Sequence, residues 1–391
     1  MKVEGALPGA CAVRGRQDRL TSYAPVRDET PEDIRYVRTL YAALVTMCDS
    51  YLGTILDFMD AHDMWKDTML IVNTDHGFLL GEHDWWGKGI MPPYEEIRHT
   101  PLFVYDPVSG IHGERREGLT SAIDLPVTIL KFFGLEIPKD MQGIDLLPMI
   151  RENRCERKAC LFGFHGGHVA VTDGTYTYFR APLASQEQNC YEYTLMPTRM
   201  RERSSVEDLQ KAEFVGPLPN SKGCKVLRTP GHGSYISQVN YGTKLYCVAK
   251  DPQQKSPLDD PVQEAWMAEL LKEEMEKADA PAEQFERLGL MGRITPESVL
   301  AGRKQEEEDQ TPRCIPVAAW SQEAKNVWRA LTKLMPPEGL EAATKVLAGK
   351  PAAHLNEAVS LEDIEQTVRE LLPKEQAAQR IYFMYTPARV E

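Results

Sequence analysis

The sequence predicts an α/β protein with a second, smaller α+β unit, and three observations carry that prediction. Ile34, Val37, Tyr41, Leu44, Cys48, Tyr51, Ile55 and Met59 recur every three or four residues, the spacing of a long amphipathic helix. The apolar run TMLIVNT, residues 68–74, reads as a short strand buried on both faces, as in a parallel sheet. A glycine-rich polar loop follows at once, and open α/β sheets gather ligands beyond the carboxyl ends of their strands.

The elements follow in order. Residues 1–30 are rich in Gly, Pro and Arg and read as loop. Thr30 is suited to cap the first helix and Pro31 to occupy its first position. DAHDMWKD closes that helix. TPLFVYDP reads as the next buried strand, and SAIDLPVTILKFFGL as a helix ended by Gly134. Composition shifts after LLPMIRENRCERKA. ACLFGFHGGHVAVTDGTYTYFRA then reads as consecutive short strands with a turn at Asp173-Gly174. TKLYCVAKDP supplies a further strand and DDPVQEAWMAELLKEEMEKADAP an acidic-faced helix. After Leu290 the pattern predicts loops, then short helices near 321–335, 338–348 and 360–372, with Ser360 and Asp363 imitating a capping box. Val327, Leu331 and Leu334 give the tail one apolar face. No internal repeat is present.

With 391 residues the chain suits two or three domains. It is 42% hydrophobic and 26% charged, a soluble globular composition. A net charge of -13, with no long Lys/Arg cluster, argues against a nucleic-acid partner. The 8 cysteines are scattered with no CxxC pair, which argues against a zinc cage and for a reducing compartment, so the cytoplasm is expected. No run of 18 apolar residues predicts a membrane span, and MKVEGALPGACAVRGRQ lacks the apolar core of a signal peptide.

The chemistry concentrates in NTDHGFLLGEHDWWGKGIMPPYEE, residues 73–96. Asp75 and His76 offer an oxygen and a nitrogen at a strand end, a donor pair suited to a divalent cation; imidazole widens the choice from calcium toward manganese or zinc. Two ligands are not a full shell, so others must come from elsewhere. Lys88 follows Gly87, where the loop can fold back and hold an anionic ester by charge. Read alone, Asp-His-Gly is equally a turn sequence.

The whole string, with Asp75-His76-Gly77, Leu80-Gly81-Glu82-His83, Trp86, Gly87-Lys88, Tyr94-Glu95-Glu96, Arg98 and Pro101-Leu102, resembles the sulfatase family of the alkaline phosphatase superfamily. The likeness is to its bacterial members and to the related phosphonate and phosphate ester hydrolases. It extends to YAALVTMCDSYLGTILDFMD, to TSAIDLPVTILKFFGLEIP with QGIDLLPMI, and to GGHVAVTDGTYTYFRAP, covering roughly residues 20–290. The implied fold is an alkaline-phosphatase-like sandwich, an incomplete central mixed sheet flanked by helices, with a smaller α+β C-terminal subdomain. The implied division is residues 1–155 for the catalytic α/β domain, 156–290 for the C-terminal subdomain and 291–391 for a helical tail.

The resemblance implies that Asp75 and His76 bind the catalytic metal, with Ca2+ or alternatively Mn2+, and that Lys88 contacts the sulfate or phosphate group. Glu82, His83 and Glu95 would orient the loop by hydrogen bonds from outside the ligand set. Trp85 and Trp86 read as packing, and Arg98 as the partner of a carboxylate that steadies the sheet. One imidazole of His165-Gly166-Gly167-His168, that of His168, would reach the substrate; a structural histidine is the competing reading.

The sequence departs from the family upstream. Relatives carry metal-binding aspartates and a nucleophile in a C/S-x-P-x-R signature, where Cys or Ser becomes formylglycine. GACAVRGR lacks that proline and spacing, and Cys48 lies inside the helix as a core residue. The chain is therefore expected to be a truncated, C-terminal portion, with the formylglycine in a missing segment and one sheet flank uncovered. The expected function is a metal-dependent sulfuric ester hydrolase acting on a small-molecule or glycan sulfate ester. The alternatives are phosphonate or phosphate ester hydrolysis in the same superfamily, or a catalytically inactive sulfatase-like protein. Expected partners are a second copy or a complementing N-terminal chain.

Overall fold

The computed structural model describes residues 24–26, 29–89, 91–187, 189–196, 204–231 and 238–310. The predicted tail helices and the Val327 face lie outside these residues. In chain order the elements are β1 (Ala24–Pro25), α1 (Pro31–Ala61), β2 (Leu70–Asn73), β3 (Leu79–Leu80), β4 (Trp85–Gly87), α2 (Glu95–Arg98), β5 (Leu102–Tyr105), α3 (Asp124–Phe132) and α4 (Leu147–Glu152). There follow β6 (Cys160–Gly163), β7 (Val169–Thr172), β8 (Tyr176–Arg180), β9 (Tyr191–Thr194), α5 (Val206–Gln210), β10 (Glu213–Val215), β11 (Val226–Pro230) and β12 (Lys244–Cys247). The last three are α6 (Pro261–Lys277), α7 (Ala282–Arg287) and α8 (Pro296–Gln310). The α/β class holds, and the elements fall into two units interleaved along the chain, one through Met64 with His76–His99 and one from Trp65–Asp75 with Thr100–Gln310.

In the first unit α1 begins as its sequence dictates. The Thr30 hydroxyl accepts from the Asp33 N–H at 3.2 Å, and the Asp33 carboxylate accepts from the Thr30 N–H at 2.9 Å, a reciprocal cap ahead of Pro31. The predicted apolar face is buried only at Val37 and Met59. Tyr41, Leu44, Tyr51, Ile55 and Cys48 are exposed, so the expectation of Cys48 in a core is overturned. A three-stranded antiparallel sheet, β1-β4-β3, completes this unit with Trp86 opposite both Ala24 and Leu80.

In the second unit β2 pairs with β5 antiparallel, Ile71 opposite Val104. This corrects the expected parallel, doubly covered strand: Phe103 is 67% exposed, and among the described residues the two strands pair only with each other. An apolar run reports that a strand wants cover, not the direction of its neighbour. An antiparallel sheet in the order β12-β8-β7-β6 packs against α6. Val171, Tyr178, Leu245, Met267, Leu271 and Leu288 form its core, each worth about 1.5–3 kcal/mol when buried. The Asp260 carboxylate caps α6 through the N–H groups of Val262 and Gln263.

Residues 296–310 are helical where loop was expected. Thr295 and Ser298 exchange backbone-to-hydroxyl bonds at its start, and Arg303 pairs with Glu264 and Asp259. PESVLAGRKQEEEDQ lacks an apolar stripe, so periodicity carried no signal; end-capping and ion pairs hold it instead.

Three phenols in this unit make stability fall at high pH. Burial raises Tyr178 and Tyr241 well above the ordinary tyrosine value. Burial, then the hydrogen bond to Glu283, pushes Tyr193 up to about 12. A raised folded value means that the neutral phenol is the folded form. The stabilisation is complete below the unfolded value of about 10 and is lost as pH climbs through the folded values. Urea midpoints are therefore expected to hold to pH ~10 and drop beyond it, and Tyr178→Phe with Tyr241→Phe is expected to flatten that drop. A midpoint independent of pH up to 11.5 would contradict it.

Candidate metal and anion site

The loop from His76 to His99 lies within the first unit, built on β3, β4 and α2. Gly77 starts it. Its N–H donates to the Ile97 carbonyl at 2.7 Å, and a Cβ there would stand 1.7 Å from the Glu96 carbonyl oxygen. Only glycine lets the two segments approach this closely.

His76 is held in one tautomer by that start. Its Nδ1 lies 2.8 Å from the Gly77 carbonyl oxygen, which can only accept, so Nδ1 carries the proton and Nε2 the lone pair. The Lys88 ammonium contacts Nε2. An imidazole whose N–H rests on a carbonyl while its other nitrogen faces a cation is arranged as a metal ligand is. The structure thus brings His76 and Lys88 together. Asp75 ends the described stretch of the other unit, exposed, with the Thr74 hydroxyl 3.4 Å from its carboxylate. Among the described residues no three His, Cys, Asp or Glu side chains form a cation shell; the oriented Nε2 lone pair of His76 would suit a divalent metal as one donor.

Glu82 fastens the loop to α1. One carboxylate oxygen accepts from the Leu80 N–H at 2.5 Å and the other from Arg38 at 2.6 Å, while Arg38 Nε donates to the Leu80 carbonyl at 2.9 Å. His83, in left-handed backbone at φ 53°, stacks on Tyr94 with ring centroids 3.6 Å apart, its Nε2 3.4 Å from Glu96. Glu95 bonds Arg98 and, at 2.9 Å, His99. Arg98 pairs with a carboxylate, as expected, and one such partner is Glu95 of its own short helix. Sequence reasoning missed Arg38 as the anchor of Glu82, because 44 residues separate them. Trp85 and Trp86 are each 2% exposed and pack, as read.

His168 stands elsewhere, in the second unit. It is 0% exposed, and its Nε2 lies 3.0 Å from the Gly242 carbonyl oxygen. The ring presents no open surface to a substrate. Buried Arg287 bonds the Gly166 and Gly167 carbonyls beside it, and burial lowers the guanidinium from its usual value. His165, by contrast, is exposed, with Nε2 3.5 Å from the Cys190 sulfur.

Residues 81–179 match the family described as N-sulphoglucosamine sulphohydrolase, C-terminal. This stretch belongs to the sulfatase family. The chain is 37% identical over 123 residues to a multifunctional alkaline phosphatase superfamily protein of Trinickia caryophylli, covering 31% of this chain and 24% of the relative. It is 33% identical over 116 residues to an N-acetylglucosamine-6-O-sulfatase of Bacteroides thetaiotaomicron, covering 30% and 20%. It is 32% identical over 149 residues to human arylsulfatase K, covering 36% and 27%. The sulfatase-like chain thus spans about a quarter of the length of the curated relatives it matches. Among solved structures, a protein in complex with its substrate D-glucosamine-2-N,6-O-disulfate aligns with a TM-score of 0.40 at 18% identity, covering 61% of this chain and 40% of that one. A phosphonate monoester hydrolase from Silicibacter pomeroyi aligns at 0.36 and 26% identity, covering 39% and 34%.

Proposed function

We propose that this chain supplies part of the active site of a metal-dependent sulfuric ester hydrolase acting on a sulfated sugar or aryl sulfate. The observation that carries the reading is the His76 ring, its N–H anchored on Gly77 and its lone pair turned to a cation. Asp75 and His76, consecutive along the chain, would hold a divalent cation, calcium or manganese. Bound there, the cation supplies positive charge toward the oxygens of the ester. Lys88 holds the anionic group as a point charge. Glu82 fixes the loop on α1, and Glu95 with Arg98 fixes its far end. The formylglycine nucleophile and the remaining ligands belong to segments other than the residues described. The family of residues 81–179 and the sulfatase names of the relatives support the substrate class.

A second reading, hydrolysis of a phosphonate or phosphate ester, is favoured by two features. Histidine beside Asp75 suits a transition metal of the manganese type, and a relative at 37% identity is described as multifunctional. The two are separated by assaying the protein, in its full natural length, on an aryl sulfate, an aryl phosphonate and an aryl phosphodiester. The sulfate is expected to turn over fastest, with loss on His76→Ala. Preference for the phosphorus esters would replace the first reading by the second, and no turnover of any would leave a non-catalytic sulfatase-like protein.

A further inference from the structure

Three side chains of α1 run along the loop that carries His76 and Lys88, and all of these residues belong to the first unit. Ile34, Arg38 and Tyr41 stand at steps of four and three, on one side of the helix. Ile34 lies against Gly81, where a Cβ would stand 3.0 Å from its Cγ2. Arg38 donates from Nε to the Leu80 carbonyl at 2.9 Å and from Nη2 to Glu82 at 2.6 Å. Tyr41 stacks on Phe78 with ring centroids 6.5 Å apart. Glu82 in turn accepts from the Leu80 N–H at 2.5 Å. Both backbone polar groups of Leu80 are therefore engaged by one ion pair.

Leu80 matters for what its strand sets in register. β3 has 2 residues and pairs with β4 at the sheet edge, Leu79 opposite Gly87 and Leu80 opposite Trp86. Lys88 is the next residue along from Gly87, and its ammonium contacts His76 Nε2. So short a ladder is marginal by itself. It needs a support from outside the hairpin, and α1 provides one.

We infer that Arg38 is a positioning residue for Lys88. The fork it sets on Leu80 and Glu82 holds β3 in register with β4, and through Gly87 that register holds the ammonium on His76. Arginine suits the task because its planar guanidinium serves two acceptors in fixed directions. The effect on turnover rests on the proposed hydrolase function; the placement of Lys88 is measured without it.

The first measurement is the rate at which sulfo-N-hydroxysuccinimide acetate acetylates Lys88, read by mass spectrometry. Lys211 and Lys277, both exposed, serve as references in the same sample. In Arg38→Met, Lys88 is expected to react at least about threefold faster, with the reference rates and the far-UV circular dichroism unchanged. Glu82→Gln keeps the side-chain shape without the charge and is expected to act in the same direction, so the test stands even if Arg38→Met fails to fold. The second measurement is turnover of an aryl sulfate by the protein of full natural length. Arg38→Met is expected to lower it roughly tenfold or more, the cost of a misplaced group. In a Lys88→Met background the same substitution is expected to change turnover by less than about twofold, because a residue that acts through Lys88 then has nothing left to place. A Lys88 rate that neither Arg38→Met nor Glu82→Gln raises overturns the inference, as do losses from Arg38→Met and Lys88→Met that multiply. If the unaltered protein turns over no ester while Arg38→Met still releases Lys88, the hydrolase reading falls and the positioning of Lys88 stands.

Discussion

Gly77→Ala is expected to cost about 3 kcal/mol or more and to dismantle the loop that carries His76, because the new methyl group would stand 1.7 Å from the Glu96 carbonyl oxygen. No side chain can yield there, since the obstacle is backbone. The loop must either part from residues 96–97, losing the Gly77-to-Ile97 hydrogen bond of 2.7 Å, or shift as a body. The backbone dihedral of Gly77 is not left-handed, so the penalty comes from the close approach alone. The readout is local as well as global. Trp85 and Trp86, each 2% exposed, should shift their emission to the red as the loop opens, and the urea midpoint should fall. A stability change under ~0.5 kcal/mol with unchanged emission would mean that the two segments do not meet as described.

The contrast between Gly77 and α1 shows what was legible in the sequence and what was not. Asp75, His76 and Lys88 stand out in the sequence by their chemistry and spacing. That His76 and Lys88 touch, and that a carbonyl sets the His76 tautomer, depends on a turn whose geometry no residue type announces. Glu82 was readable as a residue orienting the loop; its partner Arg38 was not, because a helix 44 positions upstream supplies it. On α1 the cap at Thr30 was legible residue by residue. The apolar pattern is legible too, but spacing alone does not say which of its positions are covered: Val37 and Met59 are buried, while Tyr41, Leu44 and Tyr51 are exposed. α8 went unread for the opposite reason: capping and ion pairs such as Arg303 with Glu264 hold it without any apolar stripe. His168 was singled out for its motif, and burial places it among packing residues; His165, the exposed ring of the same turn, carried no distinguishing signal in sequence.

Lys88→Met is the variant that most directly tests what the His76–Lys88 contact is for, because it is expected to move two measurements in opposite directions. On the proposed hydrolase function, turnover of a sulfate ester by the protein of full natural length should fall roughly 10²–10³-fold, the scale of losing one charged donor from the transferring group. Metal requirement should not weaken and should tighten, because the ammonium now on the Nε2 lone pair of His76 competes with any cation for that atom. Methionine preserves the length and apolar stem of lysine, so the half-buried stem keeps its packing while the charge is removed. Lys88→Arg should restore little: the guanidinium keeps the charge but spreads it over a planar fork that needs more room than one ammonium beside the ring. A merely structural Lys88 would give a different pattern, with turnover within about twofold and a lower unfolding midpoint. If instead turnover and metal affinity fall together, Lys88 serves to position His76, and the group that faces the ester oxygens is a different residue.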